Sequence, residues 1–280
     1  MTAFKLADAA IEAGHGVLSF ETLGSTTDQA LAQARAGVDG PLWIVARTQT
    51  AGRGRRGSVW QTLEGNLATT LLWTDRHNLP PSAVATLGFV AGVALGKALR
   101  ACCAGLTVAS ALDGAAGPDT GFKLKWPNDM LADGAKLAGI ALEREGLGPD
   151  RQAVAVGIGV NVAAAPVGLP YPTTSLLARG FPQVTAAALF SALTEAWVAT
   201  ERVWNQALGF PLIREAWLAE AAGLGRPVAV RLAGSVKRGI FETIDDAGQL
   251  VIRDPDGARH VVAAGEVHFG VAASAAPAAV

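Results

Sequence analysis

The chain has 280 residues, of which 50% are hydrophobic and 17% are charged, with 23 Lys and Arg against 24 Asp and Glu. Hydrophobic cores rarely grow past about 250 residues, so the length predicts one large domain and one small one. The apolar content excludes a disordered chain, and the balanced charge argues against avid binding to nucleic acid or to an acidic membrane.

The cysteines and the N-terminal sequence both indicate a protein of the cytoplasm. Cys102 and Cys103 are the only cysteines and are adjacent in an apolar stretch. They are too few and too close for a disulfide framework or a metal knuckle. No apolar run of signal-peptide length follows the N-terminus, and no segment offers about 20 uninterrupted apolar residues to span a bilayer. We therefore expect buried thiols, a reducing compartment and no membrane association.

The first hundred residues alternate predicted strands and helices. Short apolar runs predict strands, and apolar residues repeating every three or four positions predict helices. In chain order these segments are strand 17–20, helix 29–36, strands 43–46 and 66–73, and helix 80–100. Ser25, Thr26 and Thr27 precede the first helix and carry hydroxyls of the kind that begin helices. These hydroxyls are therefore predicted at a strand-to-helix turn.

The following segments predict a sheet built from hairpins. Strands are predicted over 122–126, 137–143 and 154–160. Their links are too short for helical crossovers, which indicates a mixed or antiparallel sheet. Residues 110–121 form a loop of small residues to which no role is assigned, and 185–222 have helical spacing.

The C-terminal part changes character. Residues 223–270 alternate apolar and polar positions between Asp- and Gly-containing turns, which predicts a small, all-strand, barrel-like module. Residues 271–280 are mostly alanine and are expected to form a flexible tail. With 1–16 as an N-terminal extension, the large domain spans 17–222.

The strongest local pattern is Gln-Thr-Ala-Gly-Arg-Gly-Arg-Arg-Gly over residues 49–57, and Trp60 follows it closely. Glycines expose backbone N–H groups and arginines offer guanidinium forks, a combination that suits an anion. This segment, which we call the Gly-Arg loop, also satisfies the Gly-x-Gly-x-x-Gly pattern of dinucleotide-binding folds. Three arginines fit poorly in the tight turn that a dinucleotide site needs. A Walker phosphate loop is excluded because no Gly-Lys-Ser/Thr follows, and a solvated basic turn stays open as an alternative.

A second pattern, Lys-Leu-Lys-Trp-Pro-Asn-Asp over residues 123–129, precedes Lys136. Pro127 stops the strand, so Asn128 and Asp129 are predicted in the turn that follows. Asp129 would hold Mg²⁺ or orient a triphosphate, or else satisfy only its own backbone in an Asx-turn. Lys136 begins an apolar strand and would meet a substrate anion there, or else extend to solvent as a surface lysine.

A third pattern places Gly157 and Gly159 in a strand that ends near Asn161. The glycines allow close approach of a ligand or of backbone, and Asn161 would contact a purine edge or only cap the strand. The four histidines have no metal-ligand spacing, so we expect no metal besides nucleotide-bound Mg²⁺.

In this order the patterns resemble the biotin protein ligase family. The matching pieces are the Ser-Thr pair after the first strand, the Gly-Arg loop, Gly-Asn-Leu, Lys-Trp-Pro-Asn-Asp, Lys-Leu-Ala-Gly-Ile, Gly-x-Asn and the strand-rich C-terminal module, within residues 17–270. The resemblance implies an α+β fold: a mixed sheet flanked by helices, related to the class II aminoacyl-tRNA synthetase core, with a small SH3-like β-barrel. Residues 17–222 would then be the catalytic domain.

The resemblance also implies site residues, position by position. Biotin would be bound by Ser25, Thr26, Thr27, Gln49, Gly52, Arg53, Gly54, Arg55, Lys136 and Gly139. ATP and the adenylate would be bound by Arg55, Arg56, Trp60, Asn128, Lys136 and Asn161. Catalysis would rest on Lys136, Arg53 and Arg55, with Asp129 for the Mg²⁺ that accompanies ATP.

The implied reaction has two steps, with ATP and Mg²⁺ as cofactors. Biotin and ATP would form biotinyl-5'-adenylate, and biotin would then pass to a lysine of a biotin carboxyl carrier protein of acetyl-CoA carboxylase or a related enzyme. We expect a monomer or weak homodimer. Thr27 stands where the family commonly has Asn, and residues 1–16 are too short for the helix-turn-helix domain of bifunctional members, so no binding to nucleic acid is expected.

Two alternatives stay open at this point. One is a lipoate or octanoate ligase or transferase of the same core fold. The other is a non-catalytic nucleotide- or nucleic-acid-binding protein that uses Arg53, Arg55 and Arg56 for phosphates. The Gly-Arg loop and the Trp-Pro-Asn-Asp turn favour biotin.

Overall fold

A computed structural model describes residues 3–54, 59–103, 121–149, 151–232 and 235–269. Some sequence predictions fall outside these ranges. They concern Arg55 and Arg56, the loop over 110–120 and the C-terminal tail over 271–280.

The large domain is built on one seven-stranded sheet in the order β1-β2-β3-β7-β6-β5-β4. Its strands are β1 Gly16–Leu23, β2 Leu42–Gln49, β3 Leu67–Asp75, β4 Phe122–Lys125, β5 Asp129–Ala132, β6 Ala135–Gly146 and β7 Gln152–Val160. β1 runs parallel to β2 and every other neighbouring pair is antiparallel. This confirms the mixed sheet of hairpins that the short links predicted.

Six helices belong to the described part of the chain. They are α1 Asp8–Glu12, α2 Thr26–Arg35, α3 Pro81–Ala85, α4 Leu87–Cys103, α5 Ala186–Trp204 and α6 Phe210–Ala219. The helix predicted over 80–100 is present but is divided at Thr86 into α3 and α4. The Thr86 hydroxyl donates to the carbonyl of Ala83 and accepts from Trp204 Nε1, and the chain turns between α3 and α4 at this residue.

The region over 185–222, where helical spacing was predicted, contains the two helices α5 and α6. Asn205, Gln206 and Ala207 have positive φ angles, which α-helix does not allow, so α5 ends before them. The short helix α1 was not predicted at all. It lies within the proposed extension over 1–16, where Phe4 and Ala10 are buried.

Helices cover both faces of the sheet. The apolar side chains of α4, α5 and α6 form the main core with one face, where Trp43 and Trp197 meet edge to face at 6.0 Å. On the opposite face α2 buries Ala30 and Leu31 against Ile44 and other strand residues. Pro81–Cys103 is apolar and long enough to cross a membrane, but 72% of its most apolar window is buried inside the fold. The packing identifies it as a core segment.

The C-terminal module is an antiparallel five-stranded sheet in the order β11-β10-β9-β8-β12. Its strands are β8 Pro227–Leu232, β9 Ser235–Ile244, β10 Leu250–Arg253, β11 Arg259–Val262 and β12 Glu266–Phe269. Trp126 of the large domain donates its indole N–H to the carbonyl of Gly248 at 3.0 Å. A Cβ at Gly248 would lie 2.5 Å from the ring of Phe89 on α4, so only glycine allows this close contact between the C-terminal module and the large domain.

Candidate active site

A cavity of about 540 Å³ opens beside the large sheet. Its walls come from the start of α2, the ends of β2 and β4, the middle of β3, β6 and β7, and the segments 170–172 and 265–269. The last segment includes β12, so the C-terminal module forms part of the wall. The volume is in the range of sites for small molecules and cofactors.

One end of the cavity is neutral and lined by hydroxyl groups. Thr26 and Thr27 enter it because Ser25, whose side chain accepts from the N–H of Asp28 at 3.4 Å, caps α2 and starts the helix there. Thr70 reaches the same end from β3, and its hydroxyl donates to Thr26 Oγ1 at 2.8 Å. The three threonines are 0–8% exposed, so they are held in a nearly dry environment.

Gln49, at the end of β2, completes the neutral end. Its Oε1 accepts from both the N–H and the hydroxyl of Thr26, at 2.8 and 3.0 Å, and its Nε2 donates to Thr62 Oγ1 at 3.0 Å. Because each polar group has a partner, this end can be buried at low cost.

The other end of the cavity is charged. Lys136 Nζ lies 2.7 Å from Asp129 Oδ1, and the two side chains are 20% and 17% exposed. Apart from this ion pair, Asp129 Oδ1 has no hydrogen-bond partner in the described residues. Lys136 also lies over the ring of Tyr171, with Nζ 5.5 Å from the centroid. Because Lys136 and Asp129 have so few other partners, Lys136 can leave Asp129 for a ligand anion, and Asp129 can leave Lys136 for a cation.

Lys125 and β12 add further ionisable groups to the charged end. Burial lowers the pKa of Lys125 from its usual range, and Asp129 and Glu266 partly oppose that shift. Lys125 Nζ lies 5.8 Å from the ring centroid of Phe269. Burial also lowers the pKa of His268, whose Nε2 is buried without a hydrogen bond in the described residues.

Two facing glycines make a flat platform in the cavity floor. Gly139 on β6 and Gly159 on β7 are paired in register, and the indole of Trp60 lies on them. A Cβ at Gly159 would come within 2.3–2.6 Å of the ring, so a side chain there would displace Trp60. The buried Nε1 of Trp60 has no hydrogen-bond partner among the described residues.

The described part of the Gly-Arg loop is tied down at both ends. The N–H of Trp60 donates to the carbonyl of Gly52 at 2.9 Å, and Arg53 forms an antiparallel bridge with Val59. The guanidinium of Arg53 pairs with Asp28 and, at 3.2 Å, with Glu143. Arg53 is thus bound to two carboxylates on the neighbouring α2 and β6.

The structure brings most of the predicted site residues to one cavity. The wall contains Thr26, Thr27, Gln49, Arg53, Gly54, Trp60, Asn128, Asp129, Lys136 and Gly139. Ser25 and Gly52 are not among the lining residues, and Arg55 and Arg56 lie outside the described residues.

Asn161 is not brought to the cavity. It is 2% exposed, donates to the carbonyl of Thr174 at 3.1 Å and is not among the lining residues. The position of Asp129 in a turn is wrong, because Asp129 is the first residue of β5 and pairs with Gly139. Only Asn128 lies in the turn, where its Nδ2 donates to the carbonyl of Ile140 at 2.7 Å.

Several wall residues were not predicted from the sequence. Thr70 is one of two adjacent threonines among the apolar residues of β3, a signal that could have been used. Lys125 is adjacent to the Trp-Pro-Asn-Asp pattern, but nothing in the sequence separates it from Lys123. Glu266 and His268 approach the cavity only because the C-terminal module docks beside it.

The cavity suits a ligand with one uncharged polar end and one anionic end. A neutral, hydrogen-bonding end suits an uncharged polar head group, and the lysines at the other end suit anionic groups. Within the described residues, no cluster of three or more His, Cys, Asp or Glu side chains could hold a metal ion. Of the two carboxylates in the wall, Asp129 and Glu266, Asp129 has an oxygen whose partner is Lys136, which fits a Mg²⁺ ion carried by substrate phosphates rather than by a protein cage.

Comparison with known families identifies the chain. Residues 21–161 match the biotin/lipoate A/B protein ligase family, and residues 223–270 match the biotin protein ligase C-terminal domain. The first match alone spans half of the sequence, and the protein therefore belongs to the biotin/lipoate A/B protein ligase family.

Individual relatives agree with this assignment. A biotin–[acetyl-CoA-carboxylase] ligase of Paracoccus denitrificans is 42% identical over 88% of this chain and 97% of its own length. One of Mycobacterium tuberculosis is 33% identical over 94% of this chain and 93% of its own. Among solved structures, the biotin protein ligase of Aquifex aeolicus in complex with biotin and ATP superimposes with a TM-score of 0.68, covering 90% of this chain and 97% of that one, at 22% identity. That similarity confirms the α+β fold.

Proposed function

We propose that this protein is a biotin protein ligase that makes biotinyl-5'-adenylate and transfers biotin to a lysine of a biotin carboxyl carrier protein. The observation that carries the proposal is the two-ended cavity, with the Lys136–Asp129 pair opposite a neutral end of buried hydroxyls. Biotin has the same two parts, an uncharged cyclic urea and a carboxylate. The names of the relatives from Paracoccus and Mycobacterium support this choice.

In the first step the biotin carboxylate attacks the α-phosphorus of ATP, and pyrophosphate leaves. Negative charge develops on the phosphoryl oxygens, and Lys136 is the cation in the wall that is placed to stabilise it. Lys125 adds a second positive charge at the same end. Mg²⁺ bound to ATP would be held by Asp129 and would supply further charge neutralisation.

In the second step the carrier lysine attacks the carbonyl carbon of the mixed anhydride, and AMP leaves. The mixed anhydride is sensitive to water, so the site has to stay closed until the carrier arrives. Trp60 on its glycine platform, together with Arg53 and Gly54 of the loop, lines one side of the cavity. The adenine would stack on Trp60, the one indole in the wall besides that of Trp126.

The carrier of acetyl-CoA carboxylase is the partner that we propose, because the relatives are named for it. The balanced charge supports a protein without nucleic-acid partners. Free cysteines and a need for ATP support a cytoplasmic enzyme. We further propose a monomer or weak homodimer.

A carrier-labelling assay tests the proposal. The protein is incubated with Mg·ATP, a biotin carboxyl carrier domain, and either labelled biotin or labelled lipoate; the matched control is a carrier whose acceptor lysine is replaced by Arg. We expect labelling by biotin on the unsubstituted carrier only. Labelling by lipoate instead would favour the lipoate ligase alternative, and no labelling with no biotin-dependent ATP–pyrophosphate exchange would favour the non-catalytic one.

A further inference from the structure

The neutral end of the cavity contains a continuous chain of hydrogen bonds between side chains. Thr27 Oγ1 lies 3.3 Å from Thr70 Oγ1, Thr70 Oγ1 lies 2.8 Å from Thr26 Oγ1, and Thr26 Oγ1 lies 3.0 Å from Gln49 Oε1. Gln49 Nε2 continues the chain to Thr62. We call the four residues Thr27, Thr70, Thr26 and Gln49 the hydroxyl relay.

The direction of the hydroxyl relay follows from groups that can act in only one way. The backbone N–H of Thr26 can only donate, and its partner 2.8 Å away must therefore be the oxygen of the Gln49 amide. That oxygen can only accept, so the Thr26 hydroxyl donates to it. Thr26 Oγ1 then has no further proton to give and accepts from Thr70.

The donor at the far end of the hydroxyl relay is fixed in the same way. A hydroxyl has one proton, and the proton of Thr70 is used on Thr26. The contact between Thr70 and Thr27 therefore has Thr27 as the donor. With its proton engaged, Thr27 Oγ1 presents only lone pairs to the cavity.

The surroundings leave Thr27 Oγ1 open to a ligand. Thr27 lines the cavity and is 8% exposed, and the residue facing it on β7 is Gly157. A Cβ at Gly157 would lie 3.3 Å from Thr27 Oγ1, tighter than most real contacts, so glycine keeps this space free.

We propose that the hydroxyl relay makes Thr27 Oγ1 an obligate hydrogen-bond acceptor, and that it selects ligands with a ring N–H at this position. Thr70 is then a specificity-determining residue, because it holds the Thr27 proton. The inference rests on the proposed function, in which the ligand is the cyclic urea of biotin. A ring that offers oxygen instead of N–H would place two acceptors against each other and would be rejected.

The test measures the Kd of the full-length protein by calorimetry for biotin and for two cyclic-carbamate analogues, each with one of the two ring N–H groups replaced by oxygen. We expect the unsubstituted protein to bind one of the analogues at least about tenfold more weakly than biotin. Thr27→Val keeps the shape and removes the acceptor. It should bind biotin about fivefold more weakly and should lose discrimination against that analogue, whereas Thr27→Ser should retain it.

Thr70→Val separates the relay from simple packing. It frees the proton of Thr27, which can then donate to a carbamate oxygen, so discrimination should fall to about twofold or less while biotin binding persists. Thr243→Val, on β9 of the C-terminal module, is the control for loss of a hydroxyl outside the cavity and should retain full discrimination.

The outcomes separate two levels of failure. The inference is overturned if the unsubstituted protein binds both analogues as tightly as it binds biotin. It is also overturned if Thr70→Val discriminates as strongly as the unsubstituted protein, because the hydroxyl relay then has no role in selection. If the unsubstituted protein does not bind biotin, the proposed function fails and the inference fails with it.

Discussion

The two ends of the cavity differ in burial, in charge and in how much they must rearrange when a ligand binds. At the neutral end, Thr26, Thr27 and Thr70 are almost completely buried and already hydrogen-bonded, so binding requires little rearrangement. At the charged end, Lys136 and Asp129 are partly exposed and paired with each other. A ligand must break that pair to use either group. The neutral end is thus preorganised for recognition. The charged groups that the reaction needs become available when the ligand separates Lys136 from Asp129.

The largest effect should come from removing Lys136, one of the two lysines of the charged end. Lys136→Ala should slow adenylate formation by about 10²–10³-fold, because the Nζ that pairs with Asp129 is lost beside the reacting oxygens. Biotin-dependent ATP–pyrophosphate exchange measures the rate, and Lys5→Ala, at an exposed lysine near the N-terminus, is the matched control. Biotin affinity should change much less, since the neutral end is intact. If Lys136→Ala lowered the biotin affinity as much as the rate of adenylate formation, the two ends would not have separate roles.

A smaller effect should follow from disturbing the platform between the ends. In Gly159→Ala the new methyl group would overlap the Trp60 ring, which must then move out of the cavity. We expect the half-life of enzyme-bound biotinyl-adenylate to fall about tenfold in a filter-retention assay. Gly146→Ala is the control, because a Cβ there meets nothing within 4 Å. Unchanged retention in Gly159→Ala would remove Trp60 from the closed site.

The charged end should also show a conflict between stability and function at Lys125. Lys125→Met should raise the KM for ATP about tenfold through loss of a charged contact. It should also raise the melting temperature by about 2 °C near neutral pH, because a partly buried charge is removed. Steady-state kinetics and calorimetry measure the two effects, and a lower melting temperature would contradict the assigned cost of burial.

The pH dependence of this gain has a definite sign. The pKa of Lys125 is lower in the folded protein than its ordinary value of 10.5, so folding favours the neutral amine. The cost of burying the charge is present at neutral pH and disappears as the pH rises through the folded pKa towards 10.5. The stability advantage of Lys125→Met should therefore shrink as the pH rises towards 10.5 and be absent above it.

The smallest effect should come from the ion pairs that hold the Gly-Arg loop. Asp28→Asn removes one of the two carboxylates bound to Arg53, but Arg53 and Asp28 are about half exposed. Exposed pairs are worth about 1 kcal/mol at most, so adenylate leakage should rise only about twofold to threefold. The effect should vanish in high salt, and Glu12→Gln, at an exposed acid on α1, should leave leakage unchanged. A large, salt-independent effect would show that Arg53 acts on the ligand itself.

Much of the fold could be predicted because its signals are local. Apolar runs identified the positions of most of the strands, and short links identified the hairpins. The breaks at Thr86 and Asn205 escaped because they depend on tertiary contacts and on backbone angles that propensity does not encode. The short strand β5 escaped because Pro127 before it looked like the start of a loop.

The candidate site was predictable where a pattern combined unusual residue types. Asp129, Lys136 and Gln49 belong to such patterns and do line the cavity. Thr70 carried a sequence signal that was not used, whereas His268 became visible only when the C-terminal module met the large sheet. Ser25 and Asn161 do not line the cavity: Ser25 caps α2, and Asn161 Nδ2 donates to the carbonyl of Thr174.

The most direct test of the account is formation of the adenylate itself. Purified protein is mixed with biotin and Mg·ATP without any carrier, and the bound product is measured by mass spectrometry. We expect about one equivalent of biotinyl-5'-adenylate per cavity, no lipoyl-5'-adenylate when lipoate replaces biotin, and almost no adenylate in Lys136→Ala. No adenylate from the unsubstituted protein, or as much lipoyl-adenylate as biotinyl-adenylate, would contradict the proposed function.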